Sequence, residues 1–363
     1  MRIVFLIMLI NSLMALPRFS VEEGSSCLSC HVNPTGGGMR NDYGSSVYNL
    51  DELTLRKWIS NGDENWDGFV TDHIQIGGEF RIQSFDGNVS RATFPMQAEI
   101  YTKVDINKNA DFYLEASLGG QRNYEYFVLF DNLPNKSWIK IGQTSPNYGL
   151  MIDDHTSFIK SGNKNQLVSN NRDLDIGFRK LFDPMVSKPL IVEAGTRLLD
   201  HFYFTASLSQ PLVNSNHEDE DLLNFTGSIN YIKSFGKQSI MFGSSILEEN
   251  NISLIGIYGG FNTSPLVFTF EADWADNLLE ENKNSFASYS QLVIKPIQGL
   301  HLIAKYDYFD HDYDFSTGSI TRYSYGLELY PLNMLEVKIQ LRNYDSSNLN
   351  FSNEYLLQIH TWF

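Results

Sequence analysis

Residues 334–344 read Met-Leu-Glu-Val-Lys-Ile-Gln-Leu-Arg-Asn-Tyr. In an extended chain Leu335, Val337, Ile339 and Leu341 fall on one side and Glu336, Lys338, Gln340 and Arg342 on the other, because successive side chains of a strand point to opposite faces. The last segment repeats the pattern, with Tyr355, Leu357, Ile359, Thr361 and Phe363 against Glu354, Gln358, His360 and Trp362. Ile74, Ile76, Phe80 and Ile82 oppose Gln75, Glu79, Arg81 and Gln83 in the same way, and Met96, Ala98, Ile100, Val104 and Ile106 oppose Gln97, Glu99, Lys103 and Asp105. A soluble sandwich also alternates. Charges placed so regularly along the polar faces of strands of about ten residues fit instead a sheet with lipid on one side and water on the other. The pattern predicts an all-β chain from residue 73 to its end, folded as an antiparallel transmembrane β-barrel.

Composition agrees. Twenty-five Phe, nineteen Tyr and five Trp favour strands. A net charge of −16 argues against general nucleic-acid binding, since little here would neutralise a phosphate backbone. Two Cys exclude a disulfide-rich scaffold. Beyond residue 20 no apolar run of about 18 residues occurs, which excludes a helical membrane protein.

Reading the alternation along the chain gives seventeen candidate strands, among them 171–181, 188–198 and 201–210. Bacterial single-chain barrels have an even number. Val192 through Leu208 keep one parity without slipping, so 189–210 reads as one long strand, and the count becomes 16. Trp362-Phe363 closes the final strand on an aromatic residue, as outer-membrane assembly signals do. With that end in the periplasm, the short turns near 107–109, 234–236, 296–298 and 331–333 are periplasmic. The longer connections 145–170, 211–221, 277–284, 312–319 and 345–351 lie outside. Loop 145–170 is expected to fold into the lumen, with Asp153, Asp154 and His155 forming an acidic constriction or holding a cation. The acidic runs 218–221 and 307–314 are expected on the outer rim.

The other end of the chain carries different information. Met1 and Arg2 precede an almost unbroken hydrophobic run, residues 3–16, and then Pro17. This is the layout of an export signal, placed at 1–20, with a retained anchor as the alternative. Next comes Cys27-Leu28-Ser29-Cys30-His31. In an exported chain, C-x-x-C-H is the attachment signature of one covalent haem c: Cys27 and Cys30 reach the two vinyl groups and His31 is the proximal iron ligand. A redox disulfide or half of a zinc site are the competing readings. The first lacks a βαβ context, and the second lacks two further ligands nearby. Gly36, Gly37 and Gly38 permit positive φ and close approach of the backbone. Arg40 is a candidate partner for a haem propionate. Met39 is a candidate distal ligand, and His73 a weaker one that more naturally begins a strand. The domains are therefore 1–20 signal, 21–72 haem segment and 73–363 barrel.

The combination resembles the fused cytochrome–porin proteins of the bacterial outer membrane, whose best-known members are monohaem iron oxidisers. The resemblance rests on Cys27, Cys30 and His31, on the run from Asn33 and Pro34 to Tyr43 and Gly44, and on Phe363; the barrel also looks like the porin-like proteins that share Tyr148-Gly-Leu and Asp-Asp-His-Thr-Ser-Phe within 148–158. The cytochrome–porin resemblance implies electron transfer across the outer membrane between an extracellular redox partner, Fe²⁺ among the candidates, and a periplasmic carrier, in contact with outer-membrane lipid and lipopolysaccharide. Nothing in the chain points to a hydrolytic or transferase site. A haem is smaller than the roughly 30 Å of a bilayer core, so the haem segment is expected inside the lumen as a plug. The alternative is a diffusion porin whose haem segment is a periplasmic plug or gate. A barrel enclosing a separate multihaem cytochrome is a third reading.

Overall fold

The structure is a computed structural model. It describes residues 17–363 except 56–65, 67, 88–90, 119–123, 153, 155, 161, 163, 168–171, 183–187, 214–222, 316–317 and 346–352. Most of the export signal, Asp153, His155 and the acidic run 218–221 lie outside the described residues.

Sixteen strands close into a ring: β1 Ile74–Gly87, β2 Arg91–Asn107, β3 Ala110–Ser117, β4 Tyr124–Leu133, β5 Ser137–Gln143, β6 Leu190–Leu198, β7 Phe202–Ser209, β8 Asn224–Phe235, β9 Gln238–Glu249, β10 Ile252–Thr263, β11 Leu266–Asp276, β12 Asn284–Ile297, β13 Leu300–Asp310, β14 Ile320–Leu332, β15 Leu335–Asp345 and β16 Asn353–Trp362. Every neighbouring pair is antiparallel, and β16 closes on β1 with Trp362 opposite Glu79. Phe363 exchanges both backbone hydrogen bonds with Gly78, at 3.0 and 3.1 Å. Such closure leaves no strand edge unpaired in lipid. A short strand, Phe69–Thr71, pairs with the foot of β1. No helix among the described residues is long and apolar enough to cross a membrane.

The parity read from the sequence sets the two faces. Phe80, Ile100, Ile339, Leu357 and Ile359 are exposed on the outer wall, while Glu79, Arg81, Lys338, Gln340, Arg342, Gln358 and His360 are buried on the inner one. On the Phe363 side the connections are two or three residues, such as 108–109, 236–237 and 298–299. On the other side they are mostly longer, with the tight turn at 250–251 the clearest exception.

The number sixteen is right, but its derivation from the sequence needs two corrections. Residues 189–210 are not one strand: β6 and β7 form a hairpin, with Leu198 opposite Phe202 and Val192 opposite Leu208. Residues directly opposite each other share a face, and a pairing of i with i+4 leaves parity unchanged. An unbroken phase is therefore what this three-residue turn produces. Segment 171–181 is not a barrel strand. Arg172–Asp175 pairs with Lys164–Leu167 in a separate small hairpin, and Arg179–Phe182 is a helical turn (α2). Both belong to the long third outer connection, 144–189.

Candidate functional site

The lumen is filled from both ends by the protein's own chain. Residues 17–55 lie against inward-facing side chains around nearly the whole ring. Helix α1, Pro17–Glu23, packs on β9, β10 and β11. The Arg18 guanidinium meets Glu328 at 2.5 Å and donates to the Tyr330 hydroxyl at 2.9 Å. Ser239 donates to the Val21 carbonyl, and Lys295 pairs with Glu22. On the opposite wall Asn33 donates to Glu125 at 3.3 Å and accepts from Lys140 at 3.1 Å. The Leu55 N–H donates to the Tyr330 carbonyl at 2.8 Å, close to the Phe363 end of the barrel.

Within this segment Cys27–Ser29 forms a 3₁₀ turn. The Cys30 N–H (3.0 Å) and the His31 N–H (3.1 Å) both donate to the Cys27 carbonyl. In a 3₁₀ turn positions i and i+3 stand one above the other, which sets Cys27 and Cys30 on one side with His31 directly following. The thiols are unbridged. Burial pushes the Cys27 thiol up to about 11 and raises Cys30 as well. His31 is 8% exposed and its buried Nδ1 has no hydrogen-bond partner. Burial, reinforced by the Arg40 charge, holds its imidazole down at about 4, so the ring is neutral at pH 7, the form that ligates a metal. Among the described residues no group of three or more His, Cys, Asp or Glu is placed to hold a metal ion.

The bend after His31 explains its glycines. Gly36, Gly37 and Gly38 all have positive φ, at 95°, 80° and 61°. A Cβ on Gly36 would stand 3.2 Å from Cys27 Sγ, and one on Gly38 would collide with the Tyr113 hydroxyl. The loop thus folds back over the Cys27 thiol on one side and presses on the barrel wall on the other. Arg40 bridges back to His31 as an isolated β-pair and lays its guanidinium 4.7 Å from the Trp362 ring centre. Met39 is buried with Val32 against Tyr101, Tyr113 and Phe127 of the wall. His73 is exposed at the foot of β1, its carbonyl accepting from the Asp105 N–H at 2.9 Å. The two unbridged thiols one turn apart and the neutral imidazole with its partnerless Nδ1 fit a covalently attached haem c.

The third connection enters from the other side. The Tyr148 hydroxyl donates to Asp273 at 3.0 Å, the Leu150 N–H to Glu271 at 2.6 Å and the Ser157 hydroxyl to Asp307 at 2.6 Å. Folding of this loop into the lumen was expected. An acidic constriction was not realised at Asp154, which pairs with Lys305 at 2.8 Å and Arg342 at 3.8 Å. Asp307 is not a rim residue either: it faces inward from β13, wholly buried beside Arg322 at 2.9 Å. Between α1 and this loop lies a small cleft lined by Pro17, Arg18, Ile152, Asp154, Lys305 and Glu328.

The sequence did not single out Arg18, Lys140, Glu193 or Glu328. Strand phase put Glu193 on the polar face, but a charge inside a barrel does not announce its partner.

A closed sixteen-strand barrel with an apolar outer wall, a charged inner wall and an inserted third loop has the fold of outer-membrane porin channels. It is similar to the outer membrane protein OmpT of Vibrio cholerae in its trimer form, with 12% identity and a TM-score of 0.56, covering 80% of this chain and 99% of that one. The outer membrane channel DcaP of Acinetobacter baumannii gives 10%, 0.52, 82% and 99%. The anion-selective porin from Comamonas acidovorans gives 10%, 0.53, 80% and 99%. At these identities the likeness speaks to fold. No protein-family model matches the chain, and no curated sequence does.

Proposed function

We propose that the chain is a porin-fold protein of the outer membrane whose lumen is occupied by its own haem c segment, and that it passes electrons rather than solutes. The observation that carries this reading is the seat of Cys27, Cys30 and His31. They lie on a segment tied to opposite walls of the barrel by Arg18–Glu328 and Asn33–Lys140. Bound haem would supply one-electron chemistry. Cys27 and Cys30 would hold it, and His31, neutral and with a free nitrogen, would be its proximal ligand. The N-terminal segment and loop 144–189 would exclude bulk water and solutes. A periplasmic carrier would meet the Phe363 end, and an extracellular donor or acceptor the loop end.

A second reading keeps the barrel as a diffusion channel with the N-terminal segment as a gate. Its support is the likeness to solute channels and the polar cleft between α1 and Asp154. One pair of measurements separates them. In the first reading, membrane-impermeant oxidants and reductants change the haem spectrum of intact cells, and reconstituted protein conducts weakly until residues 17–55 are deleted. Large native conductance with haem silent to external reagents would establish the second.

A further inference from the structure

We propose that Asn41 positions the attachment turn, holding the Cys27 and Cys30 thiols at the spacing that attachment of one haem needs. The inference rests on the haem reading and adds to it a residue outside the C-x-x-C-H spacing. The short turn Cys27–Ser29 satisfies only its first carbonyl, that of Cys27, which accepts from the Cys30 and His31 N–H groups. The carbonyls that follow have no partner within the turn, as at any helical C-terminus. Asn41 serves all three. Its Nδ2 donates to the Leu28 carbonyl at 3.2 Å and to the Ser29 carbonyl at 3.0 Å, and its backbone N–H donates to the Cys30 carbonyl at 2.8 Å. A side-chain amide has two N–H donors, so both are spent on the turn.

The amide oxygen is used as well. The Gly44 N–H, at the start of the helical segment Tyr43–Leu53, donates to Asn41 Oδ1 at 3.0 Å. Asn41 thereby ties the end of one helical piece to the beginning of the next. The approach is close: a Cβ on Gly44 would stand 2.5 Å from the Cys30 carbonyl oxygen and 3.1 Å from Cys30 Cβ. The Val32 N–H donates to the Met39 carbonyl at 3.1 Å, so the loop from Cys30 to Asn41 is closed at its base, with His31 opposite Arg40. Each attachment adds a Cys S–H across a vinyl C=C. The sulfur bonds to the carbon next to the ring, the hydrogen goes to the terminal carbon, and nothing leaves. Both additions need the two thiols held at one spacing, which a clamp on the carbonyls from Leu28 to Cys30 supplies.

Asn41→Asp separates this role from helix capping. Asp caps a helix N-terminus as well as Asn and can still accept from Gly44, but a carboxylate has no hydrogen to give to the Leu28 and Ser29 carbonyls. In protein purified from outer membranes, covalent haem per heat-modifiable barrel should fall about fivefold in Asn41→Asp, the order of one lost hydrogen bond. The haem that remains should include a one-thioether form, seen as a pyridine haemochrome band at longer wavelength because one vinyl stays conjugated, with Cys27→Ala as the reference. Gly44→Ala, which pushes on the Cys30 carbonyl and leaves the Asn41 side chain in place, should show the same band. Parent-like haem content and band position in Asn41→Asp, with the parent fully loaded, would overturn the role of Asn41 alone. A parent without covalent haem would overturn the haem reading and this role with it.

Discussion

The Lys140 ammonium lies 2.7 Å from the Glu193 carboxylate, both essentially inaccessible to solvent, and also donates to Asn33 two residues beyond His31. One wall residue thus joins two strands of the barrel and the segment that carries the cysteines. Removing one partner of a buried pair leaves the other charge uncompensated and typically costs about 3–5 kcal/mol. Lys140→Ala should therefore lower the stability of the folded barrel by roughly that amount in denaturant titration. Lys140→Met with Glu193→Leu should recover most of it, because the pair is then removed together. Equal losses in the single and double variants would show that the pair itself is not the source.

Covalent attachment gives the next expectation. Protein boiled in SDS should keep a haem-stained band, with the pyridine haemochrome spectrum of a c-type haem, and Cys27→Ala with Cys30→Ala should lose both. Haem lost from the parent protein on boiling would end the assignment. Met39→Ala separates packing from ligation. A buried Met truncated to Ala costs about 2–5 kcal/mol. Because Met39 packs against Tyr101, Tyr113 and Phe127, the stability should fall while the axial-ligand bands stay unchanged.

How far the sequence reveals this molecule depends on what each signal measures. Period-two alternation reports which side of a strand meets lipid, so inward Lys338, Arg342 and Gln358 and outward Ile339 and Leu357 were legible residue by residue. Alternation is blind to a turn that preserves parity, so the β6–β7 hairpin was read as one strand. It is equally blind to short extended pieces inside a loop, so 171–181 was read as a barrel strand. Cys27, Cys30 and His31 were legible because their spacing is local. Their seat in the lumen was legible only as an expectation from the short link to β1. The partners that fix the seat, Arg18 with Glu328 and Asn33 with Lys140, are 310 and 107 positions apart, and no spacing rule connects them.

Loop 144–189 has a pH signature. Burial by itself would raise Asp154, but Lys305, Arg342 and Arg322 outweigh it and hold the carboxyl well below the usual carboxylate range. Asp154 therefore stays charged well into acid. A depressed folded pKa contributes stability that is complete above the ordinary Asp value of about 4 and is lost as pH falls below it. Current noise from loop motion should be flat between about pH 7 and pH 5 and grow below about pH 4. Asp154→Asn should show the acid behaviour already at pH 7. A variant as quiet as the parent would remove Asp154 from the set of loop anchors.

The β6–β7 turn offers a test of the hairpin itself. Leu199 and Asp200 both have positive φ, at 51° and 61°, and Leu199 is 84% exposed, so its side chain gains nothing from burial. The left-handed conformation costs an ordinary L-residue roughly 1–2 kcal/mol, less for Asp, and Gly nothing comparable. Leu199→Gly should therefore stabilise the barrel by about 1 kcal/mol, with the lower figure reflecting the greater entropy that glycine loses on folding. Asp200→Gly should give a smaller gain. Were 189–210 one continuous strand, the same changes would put glycine into a strand interior and destabilise it by roughly 0.5–1 kcal/mol. The sign of the change in denaturation midpoint, measured for Leu199→Gly at constant slope, decides between a turn and a strand at this position.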